Sequence, residues 1–333
     1  MFTAGQFDRE VARTMKYTQL GRSGLTVSRL VLGTLNFGPE TSEPDAHALM
    51  DRAHEYGINF FDTSNVYGWK RGEGWTESII GRWLAQGGGR RDRTVLATKL
   101  YEQMSDWPND GRLSALNIRR SCEASLRRLQ TDHIDIYQMH HVDRNTPWDE
   151  IWEAMEVLRL QGKIVYVGSS NFAGWHLAQA QETARARHLL GLVSEQSIYN
   201  LLTRDIELEV LPAAQSYGLG VLAWSPLHRG LLTGVLRQGR PGTRYTSGQL
   251  ELHLAAVKQY EALCETLGEE PAQVALAWLL SRPGVTGPVI GPADAEQLDG
   301  AVHALDLTLE PDVLARLDQI FPGRLTAPEH YAW

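Results

Sequence analysis

The sequence predicts a (β/α)8 barrel. Three observations carry that reading: eight strand-length apolar runs, a helix-like stretch after nearly every one, and near-continuous apolarity inside several runs. Parallel strands covered on both faces read this way, strict βα alternation means a parallel sheet, and eight units is the number that closes. A doubly wound open sheet is the alternative. Against it, no G-x-G-x-x-G stands between a first strand and a first helix.

The elements follow in order. Residues 1–14 are polar and patternless and read as a flexible extension ahead of a single domain spanning 15–333. KYTQLGRSGLTVSRL alternates around a glycine-rich turn, which predicts a β-hairpin capping one end of the barrel. The predicted strands are 28–34, 58–62, 94–99, 134–140, 164–171, 192–196, 220–226 and 287–291. Between them lie amphipathic stretches such as SEPDAHALMDRAHEYG, which carries early acids and a closing glycine, and LSALNIRRSCEASLRRLQTDH. TPWDEIWEAMEVLRLQGK, AGWHLAQAQETARARH, IELEVLPAAQSYG and EPAQVALAWLLSRPG continue the series. Two segments leave strand carboxyl ends as long loops: 101–112, and 227–250, which is rich in Gly and Arg and weakly periodic. Barrels place substrate-binding loops there.

Composition narrows the function classes. The net charge is −8, with Lys and Arg scattered, so nothing favours a nucleic-acid partner. No apolar run approaches the ~20 residues of a membrane helix, and the N-terminus lacks the apolar segment of a signal peptide, so a cytoplasmic protein is expected. Cys122 and Cys264 stand far apart and outside any metal-ligand spacing, so both read as buried reduced thiols.

The chemistry is expected at the strand carboxyl ends. The second strand ends in Asp62, with Tyr67 five residues on; the third ends in Lys99 and the fourth in His140. Singly, each has an ordinary explanation: an Asp-Thr turn, a surface tyrosine, a solvated lysine. Together they would need four coincidences at the functional end, and a charge at the lip of an apolar strand costs desolvation energy unless paired. Asp62 and Lys99, on adjacent strands, are placed to pair. A lysine ammonium beside Tyr67 is expected to lower its pKa and make it a proton donor, while His140 hydrogen-bonds a reacting carbonyl oxygen. One imidazole and one carboxylate make a poor zinc site, so no metal is expected. His141 points the other way along its strand and reads as structural.

In the contexts GINFFDTSNVYG, LATKL and YQMHHVD, these four residues look like the catalytic tetrad of the aldo-keto reductase superfamily. The resemblance runs from about Lys16 to Ala304 and includes GKIVYVGSSNF, SEQSIYN, WSPLHRGLLTG and VIGPADAEQL. It is nearest to the bacterial and channel-subunit-like branch, which includes actinobacterial reductases acting on keto-sugars. The resemblance implies a TIM barrel that reduces an aldehyde or ketone with NADPH. It further implies that Ser170, Asn171 and Gln196 bind the cofactor, Asn171 and Gln196 at the nicotinamide carboxamide, and that Trp224 stacks on the ring. Ser225, Leu227, Arg229 and Gly230 would wrap the pyrophosphate, and Gly291 and Gln297 would face the adenosine end.

One departure concerns the cofactor. NADPH-preferring relatives carry a base shortly after the last strand's glycine, where this chain has Ala293 and then Asp294. A carboxylate repels a phosphate dianion, so NADH is the alternative, unless Arg237, Arg240 or Arg244 supplies the missing charge. Trp69 and Trp107 are expected to line the substrate pocket; Trp83, Trp152 and Trp278 read as helix–barrel packing. Two rival readings stay open. One is a regulatory protein that binds cofactor but turns over slowly, and the other is a lyase using a Lys99 Schiff base.

Overall fold

The computed structural model describes residues 15–68, 70–238 and 244–332. The expected 1–14 extension, and with it Trp69 and Arg240, lies outside them. An antiparallel pair, β1 (Tyr17–Gln19) and β2 (Thr26–Ser28), opens the described chain. Gly21 turns between them at φ +56, and a Cβ there would come within 2.4 Å of the Gly218 carbonyl. Only glycine lets the hairpin sit this close to the barrel floor. Leu20 and Val27 then pack among the inward-facing Val31, Phe60, Ala97, Ile136, Val193 and Leu222.

Units follow in the order the patterning predicts: β3 (Val31–Gly33), α1 (Glu43–Glu55), β4 (Phe60–Asp62), α2 (Trp75–Leu84), β5 (Val95–Leu100) and α3 (Ala115–Leu129). Next come β6 (Ile134–Met139), α4 (Trp148–Leu160), β7 (Ile164–Ser170), α5 (Gly174–Ala186), β8 (Leu192–Ile198), α6 (Val210–Tyr217) and β9 (Gly220–Trp224). The chain continues through α7 (Val235–Gln238), α8 (Ser247–Leu267), α9 (Pro271–Ser281), β10 (Val285–Ile290), α10 (Ala295–His303) and α11 (Pro311–Ile320).

The eight long-range strands close in the order β10-β3-β4-β5-β6-β7-β8-β9, with each pairing parallel. This is the (β/α)8 barrel with its hairpin cap. Helix starts follow local chemistry: the Ser42 hydroxyl accepts from the Asp45 amide at α1, and Ser114 does the same for Asn117 at α3. A second apolar layer lies between barrel and helices, where Trp83, Trp152 and Trp278 are at most 2% exposed. Cys122 and Cys264 are buried and unpaired there, and burial pushes both thiols up to about 12.

The 227–250 stretch is more regular than its sequence suggests. It holds a 3-10 turn at His228–Gly230, the short α7, and the start of α8, which Thr246 and Gln249 close with a capping box. Weak periodicity hid α8, because its buried positions are only Val257, Tyr260, Glu261 and Cys264. Among the described residues, no helix is long and apolar enough to cross a membrane.

Candidate active site

Register sets the site. Gly33 pairs with Asp62, Lys99 with Gln138, Gln138 with Gly168, and Ser170 with Gln196, so polar side chains from successive strands meet at the carboxyl mouth. Lys99 is fully buried and Asp62 is 2% exposed. The Lys99 ammonium donates to Asp62 Oδ2 at 2.5 Å, to the Thr63 carbonyl at 3.0 Å and to the Tyr67 hydroxyl oxygen at 3.2 Å. The other carboxylate oxygen, Asp62 Oδ1, accepts from Gln138 Nε2 at 3.0 Å and from Gln196 Nε2 at 2.9 Å. The Asp62 carboxylate is therefore held by one cation and two amides. Burying the charge is tolerable only because both partners and both oxygens are engaged.

The electrostatics of this cluster correct one expectation. Burial pulls the Lys99 pKa down, but Asp62 and Tyr67 outweigh it and hold the ammonium above its ordinary range. Tyr67 was expected to fall. Instead burial raises its pKa, with Lys99 and Arg244 opposing and Asp62 reinforcing the rise. Desolvation of the phenolate, together with repulsion from the Asp62 carboxylate, outweighs the ammonium's attraction. Tyr67 is therefore a fully protonated phenol at neutral pH. Burial, with Lys99 and His141 beside it, drives His140 well below the usual imidazole range, so it is neutral. Its ring meets that of Tyr67 edge-on at 6.0 Å, and Ser64 Oγ lies 3.3 Å from its Nδ1.

A second group of residues borders this cluster. Asn171 sits in the left-handed region at φ +60. Its Nδ2 donates to the His140 carbonyl at 3.1 Å and to Ser170 Oγ at 3.0 Å, and its Oδ1 accepts from Trp224 Nε1 at 3.1 Å. Trp224 ends β9, half-buried. Beyond it, Ser225, His228, Arg229 and Gly230 all carry positive φ. Strained backbone of this kind concentrates at ligand-binding turns. Leu227 lies within that turn, and the Arg229 carbonyl accepts from the Arg244 amide at 3.2 Å.

The remaining residues lie further out. The Gly291 carbonyl accepts from Asn36 Nδ2 at 2.9 Å. Asp294 is the N-cap of α10: its carboxylate accepts from the Gln297 amide at 2.9 Å, while Gln297 Oε1 accepts from the Ala293 amide at 3.0 Å. Arg237 is turned toward Glu261, 4.0 Å away. Trp107 is 76% exposed on the loop after β5, and its described hydrogen bonds are to Gln103 and Ser105 rather than to the tetrad. Among the described residues, no group of three or more metal-ligating side chains comes together.

Sequence reasoning missed Gln138 and Glu195. Each is a polar residue inside an apolar strand, IYQMH and LVSEQ, and that interruption is the signal that would have found them.

Comparison with known proteins agrees with this geometry. Residues 29–321 match the model of the aldo/keto reductase family. The chain belongs to that family. Over 327 residues it is 54% identical to the Bacillus subtilis protein named uncharacterized oxidoreductase YrpG, covering 96% of this chain and all of the relative. It is 33% identical over 341 residues to the Escherichia coli protein tas, covering 92% and 97% of the two chains. It is also 33% identical over 326 residues to a Schizosaccharomyces pombe protein named putative voltage-gated potassium channel subunit beta, covering 92% and 94%. This aldo/keto reductase is an NAD(P)H-dependent oxidoreductase acting on carbonyl groups. Its mouth suits that cofactor on chemical grounds: two side-chain amides to meet a carboxamide, an indole to meet a flat ring, and a strained turn with an exposed arginine to meet a pyrophosphate.

Proposed function

We propose that Tyr67 is the proton donor of a carbonyl reductase that prefers NADPH and acts on a sugar-like or small polar aldehyde or ketone. The observation that carries this reading is the Lys99 ammonium, bound at once to Asp62 at 2.5 Å and to the Tyr67 oxygen at 3.2 Å. A phenol that is fully protonated at neutral pH donates to the strongly basic oxygen formed when a carbonyl carbon gains a hydride. The nearby ammonium then stabilises the phenolate left behind. Neutral His140, on the adjacent strand end, is a hydrogen-bond donor for the carbonyl oxygen and orients it beside Tyr67. The bound cofactor supplies the hydride; Asn171, Gln196 and Trp224 would hold its nicotinamide, and Ser170 braces Asn171. Ser225, Leu227, Arg229 and Gly230 would take the pyrophosphate, with Gly291 and Gln297 toward the adenosine.

NADPH is the first reading: Arg244 is an exposed base whose amide donates to the Arg229 carbonyl at 3.2 Å, beside the turn that would hold the phosphates. NADH is the second reading, favoured by Ala293 and by Asp294, whose carboxylate already occupies the α10 N-terminus. Two buried, unpaired cysteines suit a reducing cytoplasm. Trp107 and Trp69 stay proposed as residues lining the substrate pocket.

The test is Tyr67→Phe. Carbonyl reduction should fall by roughly 10²–10⁴, the usual worth of a positioned acid, while NADPH binding is unchanged. Turnover like that of the wild type would refute the assignment. A regulatory protein would instead bind cofactor while the wild type itself turns over slowly.

A further inference from the structure

Glu195 lies in the middle of β8, directly before Gln196, and is fully buried. Gln196 points into the barrel toward Asp62, so Glu195 points to the outer face. A carboxylate there, fully buried and with no ion pair among the described residues, should be costly. What it does have is a set of donors. Glu195 Oε1 accepts from the Phe172 amide at 3.0 Å and from Ser197 Oγ at 2.7 Å, and Oε2 accepts from Ser169 Oγ. The preceding amide, that of Asn171, donates to the Gln196 carbonyl at 3.0 Å. Consecutive residues of β8 therefore clamp consecutive amides of the turn after β7. That turn contains Asn171 in the left-handed region, which a non-glycine residue keeps only when its surroundings hold it there.

We propose that Glu195 is a positioning residue: its carboxylate fixes the Asn171–Phe172 turn so that the Asn171 amide stays locked between Trp224 and the His140 carbonyl, ready for cofactor. The inference rests on the reading that Asn171 and Trp224 hold the nicotinamide. Ionised Glu195 accepts from all its donors. Protonated on Oε2, it donates to Ser169 Oγ, which turns its own hydrogen to the Ser194 carbonyl 3.3 Å away, and Oε1 then holds the Phe172 amide only as a neutral acceptor, which weakens the clamp. Burial raises its pKa to about 7, against the pull of Ser169, Ser197 and the two turn amides, none of them a charged group. The two histidines around the turn are both held below the ordinary imidazole range. His176 of α5, whose ring lies 6.0 Å from that of Phe172, is lowered by burial and by Arg144, and His140 is lowered further. From α6, the backbone and Cβ of its N-cap Glu209 approach Gly174, beside the turn.

The experiment titrates tryptophan fluorescence with NADPH across pH for wild type, Glu195→Gln, Glu195→Ala and Ser169→Ala, with thermal melts confirming that each is folded. Wild-type affinity should weaken as pH falls through about 7. Comparison with Glu195→Gln cancels the cofactor's own titration, and that variant should lack the transition. Glu195→Ala should bind about tenfold more weakly, the scale of one charged hydrogen bond. Ser169→Ala removes a donor to the charged form, so its midpoint should move up. If Glu195→Ala binds like the wild type, or Glu195→Gln keeps the wild-type pH profile, the positioning role is overturned while the cofactor site stands. If the wild type binds neither NADPH nor NADH, the cofactor reading falls and this inference with it.

Discussion

Replacing Lys99 by methionine would leave the Asp62 carboxylate, 2% exposed, with two amide donors and no cation. Breaking a buried pair from one side costs about 3–5 kcal/mol, because an uncompensated charge remains in low dielectric. An unfolding entropy of ~2.1 cal/mol/K per residue gives about 0.7 kcal/mol/K for a chain this long, so Tm should fall by roughly 4–7 °C. Asp62→Asn should cost a similar amount from the other side: it strands the ammonium, and its amide points a donor at a donor. Removing both charges together should cost much less than the sum, with a coupling of at least about 2 kcal/mol. The Lys99→Met deficit should also depend on pH. The cost lies in a buried charge without its partner, so the deficit should be largest at neutral pH and smaller in acid. Urea unfolding of the four proteins at two pH values measures all of this. Additivity within ~0.5 kcal/mol would refute the claim that the two charges act as one buried unit.

Three further outcomes follow from the same geometry. Gly168→Ala would put a Cβ 2.7 Å from Ser194 Oγ and 3.0 Å from Gln138 Cγ. It should cost about 1–3 kcal/mol in thermal unfolding and, by moving Gln138, disturb Asp62; an unchanged melt would show that the gap closes freely. Trp224→Ala should weaken NADPH binding about three- to tenfold, the worth of a stacked ring, and unchanged affinity by calorimetry would remove Trp224 from the site. Relative to Glu195→Gln, the wild type should lose stability as pH rises from about 4.5 to about 7, because buried Glu195 keeps its proton in the folded state longer than in the unfolded one. That loss is roughly 3 kcal/mol, read as the difference between chemical unfolding of the two proteins across pH.

The barrel was legible because burial on both faces writes itself into sequence as apolar runs, and the chemistry because Asp62, Lys99 and His140 interrupt those runs where a barrel opens. The hairpin was legible from the glycines around Gly21. Helix α8 was not, because its buried face is narrow and it begins inside a stretch that reads as loop. The direction of the Tyr67 pKa was not legible either. Spacing shows that Lys99 is near, but the balance between its attraction and the loss of water depends on three-dimensional burial. Gln138 and Glu195 left a trace, as polar residues within apolar strands. Which way each points, and what each holds, came only from the register of the neighbouring strands.

The central claim is that hydride arrives at a carbonyl carbon beside Tyr67. The direct measurement follows deuterium from C4-deuterated NADPH into the alcohol formed from a small polar aldehyde, in the wild type and in Tyr67→Phe. The account predicts deuterium on the carbinol carbon with the wild type, and little product with the variant despite intact cofactor binding. Equal label transfer by both proteins would contradict the role of Tyr67. If no label transfers and borohydride instead traps substrate on Lys99, the site is a Schiff-base site rather than a hydride-transfer one.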